Sequence, residues 1–571
     1  MSRASTTICL ALPATLALAL AMSFAAMAQD TPGAADPERA AAVIPLQFHY
    51  MGPSPGGRIS AAVGIAGNHS TYYLGAASGG LWKSTDGGHT YVPIFDDQNV
   101  AAIGSLAIAA TDSNTIWVGT GEPWMIRPSD VIGDGVYKST DAGKSWQHMG
   151  LVETGRISRI VINPRDASNV LVCALGRASA PQQERGVFRT TDGGKTWKRT
   201  LFVNDDTGCS GLSMDPNNPN VLFAGTWQVS QRTWQQNGGG PGSGVFTSRD
   251  NGVTWTRLDQ GLPKSPLGKI DVAIAPSNSK RVYALIQTFN QGSLWRSDDG
   301  GQRWELTSAD RSLTGRAGYY IRIAVDPKNP DNVYVANSSP HFSTDGGRTF
   351  SGHGGDAKAM GPASCGDCHD VWIDPTNPAH YIVTGDGGAS IATGAGNAIN
   401  VVLPIGQNYH VTTDNQVPYW IYSNRQDFFT MRGPSTLSEP SGNGLLPLRD
   451  FIPGANDPTL TSNRRPRPKR DGGLYQTGDP TLLPQLPEMD APPAGIGLGP
   501  GGTQKTPALA VPYGRKPTPP LQWDYSLGGC ESGHTLPDPS DSNIVWATCY
   551  GNKVTRYDAR ELTAHSIEPS R

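Results

Sequence analysis

An eight-residue pattern, Ser-x-Asp-x-Gly-x-Ser/Thr followed by an aromatic residue, returns along this chain at nearly even steps. It reads STDGGHTY at Ser84–Tyr91, STDAGKSW at Ser139–Trp146, TTDGGKTW at Thr190–Trp197, SRDNGVTW at Ser248–Trp255, SDDGGQRW at Ser297–Trp304 and STDGGRTF at Ser343–Phe350. Successive starts lie 55, 51, 58, 49 and 46 residues apart. One further step reaches Ala392–Ile399, where Gly396 and an apolar last residue remain; we read it as a seventh, decayed copy. A period near 50 residues with fixed turn chemistry means one supersecondary unit repeated.

The surroundings of each copy identify the unit. A β-branched or aromatic run precedes it, as in Gly135-Val136-Tyr137-Lys138 and Gly186-Val187-Phe188-Arg189. Asp and Gly then supply a turn, and the closing aromatic opens a return strand, which is a β-hairpin signal. The carboxylate can accept backbone N–H groups across the turn, Gly supplies positive φ, and the Trp is expected to pack under the hairpin. Asp86, Asp141, Asp192, Asp250, Asp299 and Asp345 are therefore read as structural.

Two more strands precede each hairpin. In the third repeat, Ile157–Ile162 is closed by Asn163-Pro164 and followed by Asn169–Ala174. The same turn recurs at Asp215-Pro216, Ala275-Pro276, Asp326-Pro327 and Asp374-Pro375. Four antiparallel strands repeated about seven times predict an all-β chain, a seven-bladed β-propeller of four-stranded blades.

The expected domain order is a signal peptide over 1–28, a disordered N-terminus over 29–44 and the propeller over 45–400. The start of a second propeller over 401–432, a Pro/Gly-rich and largely disordered insert over 433–520, and a terminal partial blade over 521–571 follow. The signal peptide rests on Arg3, the apolar run Ile8–Ala21 and the small residues of Ala26-Met27-Ala28. No later stretch is apolar over the 18 or more residues of a spanning helix, so a periplasmic or secreted chain is expected. With 46 basic against 49 acidic residues there is no basic surface for nucleic acid. The run Arg464–Arg470 is read as a solvated linker. Six cysteines follow the leader, an even count that allows disulfides in an oxidising compartment but does not fix their pairing.

The hairpin turns match the Asp-box, or BNR repeat. Together with the Asp-Pro turns they resemble the sortilin-like and glycoside-hydrolase-like propellers of secreted bacterial proteins. Further matches are Val118-Gly119-Thr120-Gly121-Glu122, Gly366-Asp367-Cys368-His369-Asp370-Val371-Trp372, Leu403-Pro404-Ile405-Gly406-Gln407 and Asp414-Asn415-Gln416-Val417-Pro418-Tyr419. Gly529-Cys530-Glu531 adds a weaker one. The resemblance implies the fold and a glycan-directed activity. The chain departs from it in two ways: only one or two blades of a second propeller are visible, and the Arg-Ile-Pro motif of sialidases is absent, which argues against exo-sialidase activity.

The Asp-boxes and the Asp-Pro turns both belong to one face of the ring, which leaves the longer loops to the other. Function is normally placed on such loops. That face is expected to carry Glu122, Trp124, Arg127, Arg156, Trp227, Trp234, Arg316, Tyr319, Asp367 and His369. Carboxylates, arginines and aromatic faces of this kind bind sugars. Glycoside hydrolysis needs two carboxyl groups, and Glu122 and Asp367 are the candidates, with the other eight as ligand contacts. Arg156 follows Gly155 as Arg58 follows Gly57 and Lys269 follows Gly268, a recurrence that favours a structural role for it. Cys365, Cys368 and His369 match the C-x-x-C-H haem-attachment spacing. They sit within the blade-start motif, so no cofactor and no metal is expected. Three functions remain open: a glycoside hydrolase on an extracellular polysaccharide, a non-catalytic propeller binding peptide or glycan, and a periplasmic assembly scaffold.

Overall fold

A computed structural model describes residues 56–124, 132–319, 321–351, 362–394, 396–427, 430–435, 469–470 and 523–567. All belong to the unit Met51–Arg571. The leader, the N-terminus over 29–44, Arg127 and nearly all of the 433–520 insert lie outside them. Among the described residues there is no α-helix, and no helix is long and apolar enough to cross a membrane.

Seven consecutive antiparallel sheets carry the chain from 59 to 401. Sheet 1 spans 59–93, sheet 2 103–148, sheet 3 157–201, sheet 4 207–258, sheet 5 270–308, sheet 6 322–343 and sheet 7 368–401. Each runs in simple meander order. Sheet 6 has three strands and a bridge from Phe342 to Ser351. Sheet 4 carries an inserted hairpin, Ser230–Arg232 with Gln235–Asn237. In the third repeat the strands are Ile157–Asn163, Asp166–Ala174, Gly186–Thr190 and Lys198–Leu201, so the four strands expected from the sequence map onto one sheet.

The core shows that the sheets close into a ring. Each of seven hydrophobic clusters takes its residues from two neighbouring sheets. One of them packs Ile59, Ala62 and Leu74 of sheet 1 on Ile382, Ile391 and Val401 of sheet 7. The chain is a β-propeller. Polar clasps repeat the message between innermost strands. Ile160 N–H donates to Ser105 Oγ (3.0 Å), Ile323 N–H to Asp271 Oδ2 (3.0 Å), and Ala62 N–H to Asp370 Oδ2 (3.3 Å), the last joining sheet 1 to sheet 7. A disulfide, Cys173–Cys209, links sheets 3 and 4.

The Asp-box carboxylates are structural. Asp86 accepts from Thr90 N–H at 2.9 Å and from Thr90 Oγ1 at 2.6 Å, while Ser84 Oγ accepts from Gly88 N–H at 2.9 Å. The same bonds recur at Asp250 and Asp345. The Trp of the box does more than lie under its own hairpin. Trp146 Nε1 donates to Ile94 O at 2.6 Å and Trp197 Nε1 to Met149 O at 2.7 Å, each reaching back to the preceding sheet.

Two further sheets follow. Sheet 8 pairs Asn408–Thr413, Trp420–Arg425, Thr430–Pro434 and Asp524–Tyr525. Sheet 9 pairs Thr535–Pro537, Ile544–Cys549, Lys553–Asp558 and Thr563–Ser566, with Lys469–Arg470 along its edge.

Candidate functional site

The strands' order puts the start of every innermost strand, and every connection between second and third strands, on the face opposite the Asp-boxes. Charged residues from these positions meet at the ring's axis. Arg58 stands just before sheet 1, and Glu122 follows the second strand of sheet 2, Asp112–Thr120. Gly121 makes that placement possible: its φ is 86°, and a Cβ there would lie 2.0 Å from Gly155 O. Asp386 fills the turn between His380–Gly385 and Gly388–Thr393 of sheet 7.

Arg58 bridges two of these carboxylates, with Nη1 2.7 Å from Glu122 Oε1 and Nε 2.7 Å from Asp386 Oδ1. His369 Nε2 lies 2.5 Å from the same Asp386 oxygen. The His369 ring is 4.1 Å from that of Trp124 and 5.4 Å from that of Tyr319. Arg58 lies over Tyr319 at 5.0 Å and Arg316 at 5.5 Å. Arg316 Nη1 donates to Asp367 Oδ1 at 3.1 Å. Asp427, which follows the second strand of sheet 8, completes the group: carboxylate oxygens of Asp367, Asp386 and Asp427 all lie within 4.8 Å of one another. Glu531 stands behind Asp427, accepting from its N–H at 2.8 Å and from Tyr550 OH at 2.8 Å.

Environment drives these carboxyl groups apart. Burial works against the charged form of Asp386, but Arg58 and His369 outweigh it and hold the group well below the usual carboxylate range. Burial pushes Asp427 well above that range, and neighbouring Asp386 adds to the rise. Burial also raises Glu122, against the pull of Arg58. His369 is lowered by burial despite Asp386. Two carboxyl groups a few ångströms apart are thus pushed in opposite directions. Three carboxylate oxygens at this spacing could also serve a divalent cation, although Arg58 and Arg316 already offset two of the charges.

A second tier crosses the axis nearer the Asp-box face. Arg159 of sheet 3 reaches Asp370 of sheet 7 (Nη1–Oδ1 3.0 Å), and Arg322 of sheet 6 donates from Nη2 to Ser158 O of sheet 3 (2.7 Å). These sheets are not neighbours, so such bonds can form only across the centre of the ring. Asp271 and Asp370 are both clasps between sheets and partners of these arginines.

The structure brings Glu122, Trp124, Arg316, Tyr319, Asp367 and His369 together at the axis. Arg156 is buried and lies within electrostatic range of Glu122. Trp227 offers no face to a ligand: it is fully buried, and its Nε1 donates to Gly238 O at 3.0 Å. Trp234, between the strands of the sheet-4 hairpin, is 82% exposed. Arg58, Asp386 and Asp427 are the residues sequence reasoning missed. Asp386 sits in Gly385-Asp386-Gly387-Gly388, which reads as turn chemistry alone. The C-x-x-C-H segment holds a Cys365–Cys368 disulfide, and Cys530–Cys549 is a third. A separate cavity of about 250 Å³, lined by Leu258, Leu262, Pro263, Leu267 and Ile286, lies between sheets 4 and 5, away from this chemistry.

The BNR/Asp-box repeat family matches residues 188–199. A xyloglucanase of Acetivibrio thermocellus is 23% identical over 323 residues, covering 49% of this chain and 36% of that protein. A xyloglucanase of Hypocrea jecorina is 27% identical over 238 residues, covering 37% and 27% respectively. The chain thus spans about a third of the length of these relatives. The crystal structure of the GH74 xyloglucanase from Xanthomonas campestris superposes with a TM-score of 0.50 at 13% identity, over 92% of this chain and 82% of that one, a likeness of fold. Repeat, relatives and fold together support a glycoside-hydrolase-like Asp-box propeller.

Proposed function

We propose that this chain is a secreted glycoside hydrolase that cleaves an extracellular glycan at the axial carboxyl cluster. The observation that carries this reading is the pair Asp386 and Asp427. Oxygens of the two lie within 4.8 Å of each other, yet their proton affinities are pushed in opposite directions. Titratable groups separated in this way are suited to acid and base roles. Asp427 is the proton donor to the leaving oxygen, and Asp386 is the anionic partner that meets the developing positive charge on the sugar. Asp367, held by Arg316, extends the anionic wall. The spacing is nearer to the roughly 5–5.5 Å of retaining enzymes than to the roughly 6.5–9.5 Å of inverting ones. Glu122, tied to Arg58, positions the guanidinium rather than moving a proton. Three disulfides support folding in an oxidising compartment, and the xyloglucanase relatives favour a polysaccharide substrate.

The test is reducing-sugar release from a polysaccharide panel that includes xyloglucan. Asp427→Asn and Asp386→Asn are expected to lower the rate at least about 100-fold with the fold intact, or about 2.7 kcal/mol of transition-state stabilisation. Release that survives both substitutions would place the chemistry elsewhere. A second reading, a non-catalytic propeller that binds glycan or peptide, is favoured by the ion pairs that hold Glu122 and Asp386 to Arg58. Binding without release from any substrate would select it.

A further inference from the structure

Lys269 stands just before the innermost strand of sheet 5, Ile270–Ile274, at the place Arg58 holds in sheet 1, and it is 4% exposed. The buried cations around it have acceptors. Arg159 has Asp370, and Arg322 has Ser158 O with Asp271 and Asp370 close by. Lys269 Nζ has no hydrogen-bond acceptor among the described residues. It stands over the ring of Trp227 at 5.3 Å, with Arg322, Asp271 and His369 in electrostatic range. Around this level three cations, Lys269 with Arg159 and Arg322 of the tier beneath it, face two carboxylates, Asp271 and Asp370. One positive charge is left over, on the one group without an acceptor. A buried ammonium without an acceptor is costly, and a ligand that brings one carboxylate removes that cost.

We propose that Lys269 is the docking group for a single carboxylate on the glycan, so that the axial site prefers uronic-acid sugars over neutral ones. This rests on the glycan reading above and adds a substrate class to it. Asp386 and Lys269 both lie within electrostatic range of His369, so the acidic cluster of Asp367, Asp386 and Asp427 reacts while Lys269, near the same imidazole, holds the acidic sugar. Burial, with Arg322 adding to it, lowers the Lys269 amine to about 7. A docked carboxylate favours the charged form, so binding above neutral pH takes up a proton and weakens as pH rises.

The experiment is calorimetric titration of the full chain with a uronic-acid oligosaccharide and with its carboxyl-reduced, neutral counterpart. The acidic form is expected to bind about 10-fold tighter or more, the scale of a hydrogen bond to a charged group. Lys269→Met should bring the two sugars to within about 2-fold, and Lys269→Arg should keep most of the preference. Titration at about pH 8.5 in two buffers of different ionisation enthalpy should show proton uptake that Lys269→Met lacks. Equal binding of both sugars, or a preference that survives Lys269→Met, overturns the proposal while leaving the glycan reading standing. If neither sugar binds, the glycan reading and the uronate assignment fall together. Acetate titration followed by the NMR signal of ¹³C-methylated Lys269 then tests the docking group itself. An upward move of its titration with acetate supports a carboxylate site, and a flat response removes that as well. A peptide C-terminus that binds through Lys269 where uronates do not would overturn the uronate assignment.

Discussion

Replacing Arg58 by Met tests the axial network most severely. Arg58 is the partner of both Glu122 and Asp386, whose side chains are only 5% and 7% exposed. Removing one partner of a buried ion pair strands the other charge and costs about 3–5 kcal/mol. Arg58 strands two, and burial raises the Glu122 carboxyl against the pull of Arg58, which makes its share the smaller. The expected loss at neutral pH is about 4 kcal/mol, the larger part of it through Asp386. Its sign with pH follows from linkage. Asp386 is held below the ordinary aspartate value by Arg58 and His369 in spite of burial. Its contribution is thus present above the unfolded value of about 3.9 and is lost as pH falls toward the folded one. Arg58→Met forfeits that contribution, so the gap to the wild type is widest between about pH 6 and 8 and narrows below about pH 4. Urea denaturation across this range is the assay. Arg58→Met/Glu122→Gln should lose less than the sum of its single variants, because the two residues touch. A loss under about 1 kcal/mol at pH 7, or a gap that does not change with pH, would refute the reasoning.

Two other consequences are as direct. Cys173 and Cys209 close a loop with a sequence separation of 36 between sheets 3 and 4, so Cys173→Ala/Cys209→Ala should lower unfolding stability by about 4 kcal/mol under oxidising conditions; an unchanged urea midpoint would count against a bridge in solution. Lys269 is lowered from 10.5 to about 7, so the unfolded chain binds the extra proton between those values and the native state bears the burial cost in full below about pH 7. Lys269→Met should then be the more stable protein below pH 7, by at most about 5 kcal/mol, with the gap closing as pH rises toward about 10.5; pH-resolved melting curves decide it.

The ring was legible in the sequence because each Asp-box completes its own chemistry within eight residues. Asp86 finds Ser84 and Thr90 beside it, and Asp141, Asp192, Asp250 and Asp345 find the same pair of hydroxyls, so local pattern and structure agree. The axial site was only half legible for the opposite reason. Arg58 meets Glu122 across 64 residues and Asp386 across 328, contacts that exist only once sheet 7 closes on sheet 1. Before closure Asp386 reads as a turn residue, and Asp427 as the end of an ordinary strand. Trp227 and Trp234 show a limit of composition. They share one Trp-, Gln- and Gly-rich stretch, yet the first is fully buried and the second is 82% exposed between the two strands of a hairpin. Their type and spacing do not distinguish them; the pairing of Ser230–Arg232 with Gln235–Asn237 does.

The most direct test of the central claim is a crystal structure of the Asp427→Asn variant with a bound oligosaccharide. The account predicts a sugar at the axis, its glycosidic oxygen within about 3.2 Å of the substituted side chain, its ring against the Asp367 and Asp386 wall, and an acidic substituent directed at Lys269. A sugar seated on the outer hairpin at Trp234, with the axial cluster untouched, would contradict it.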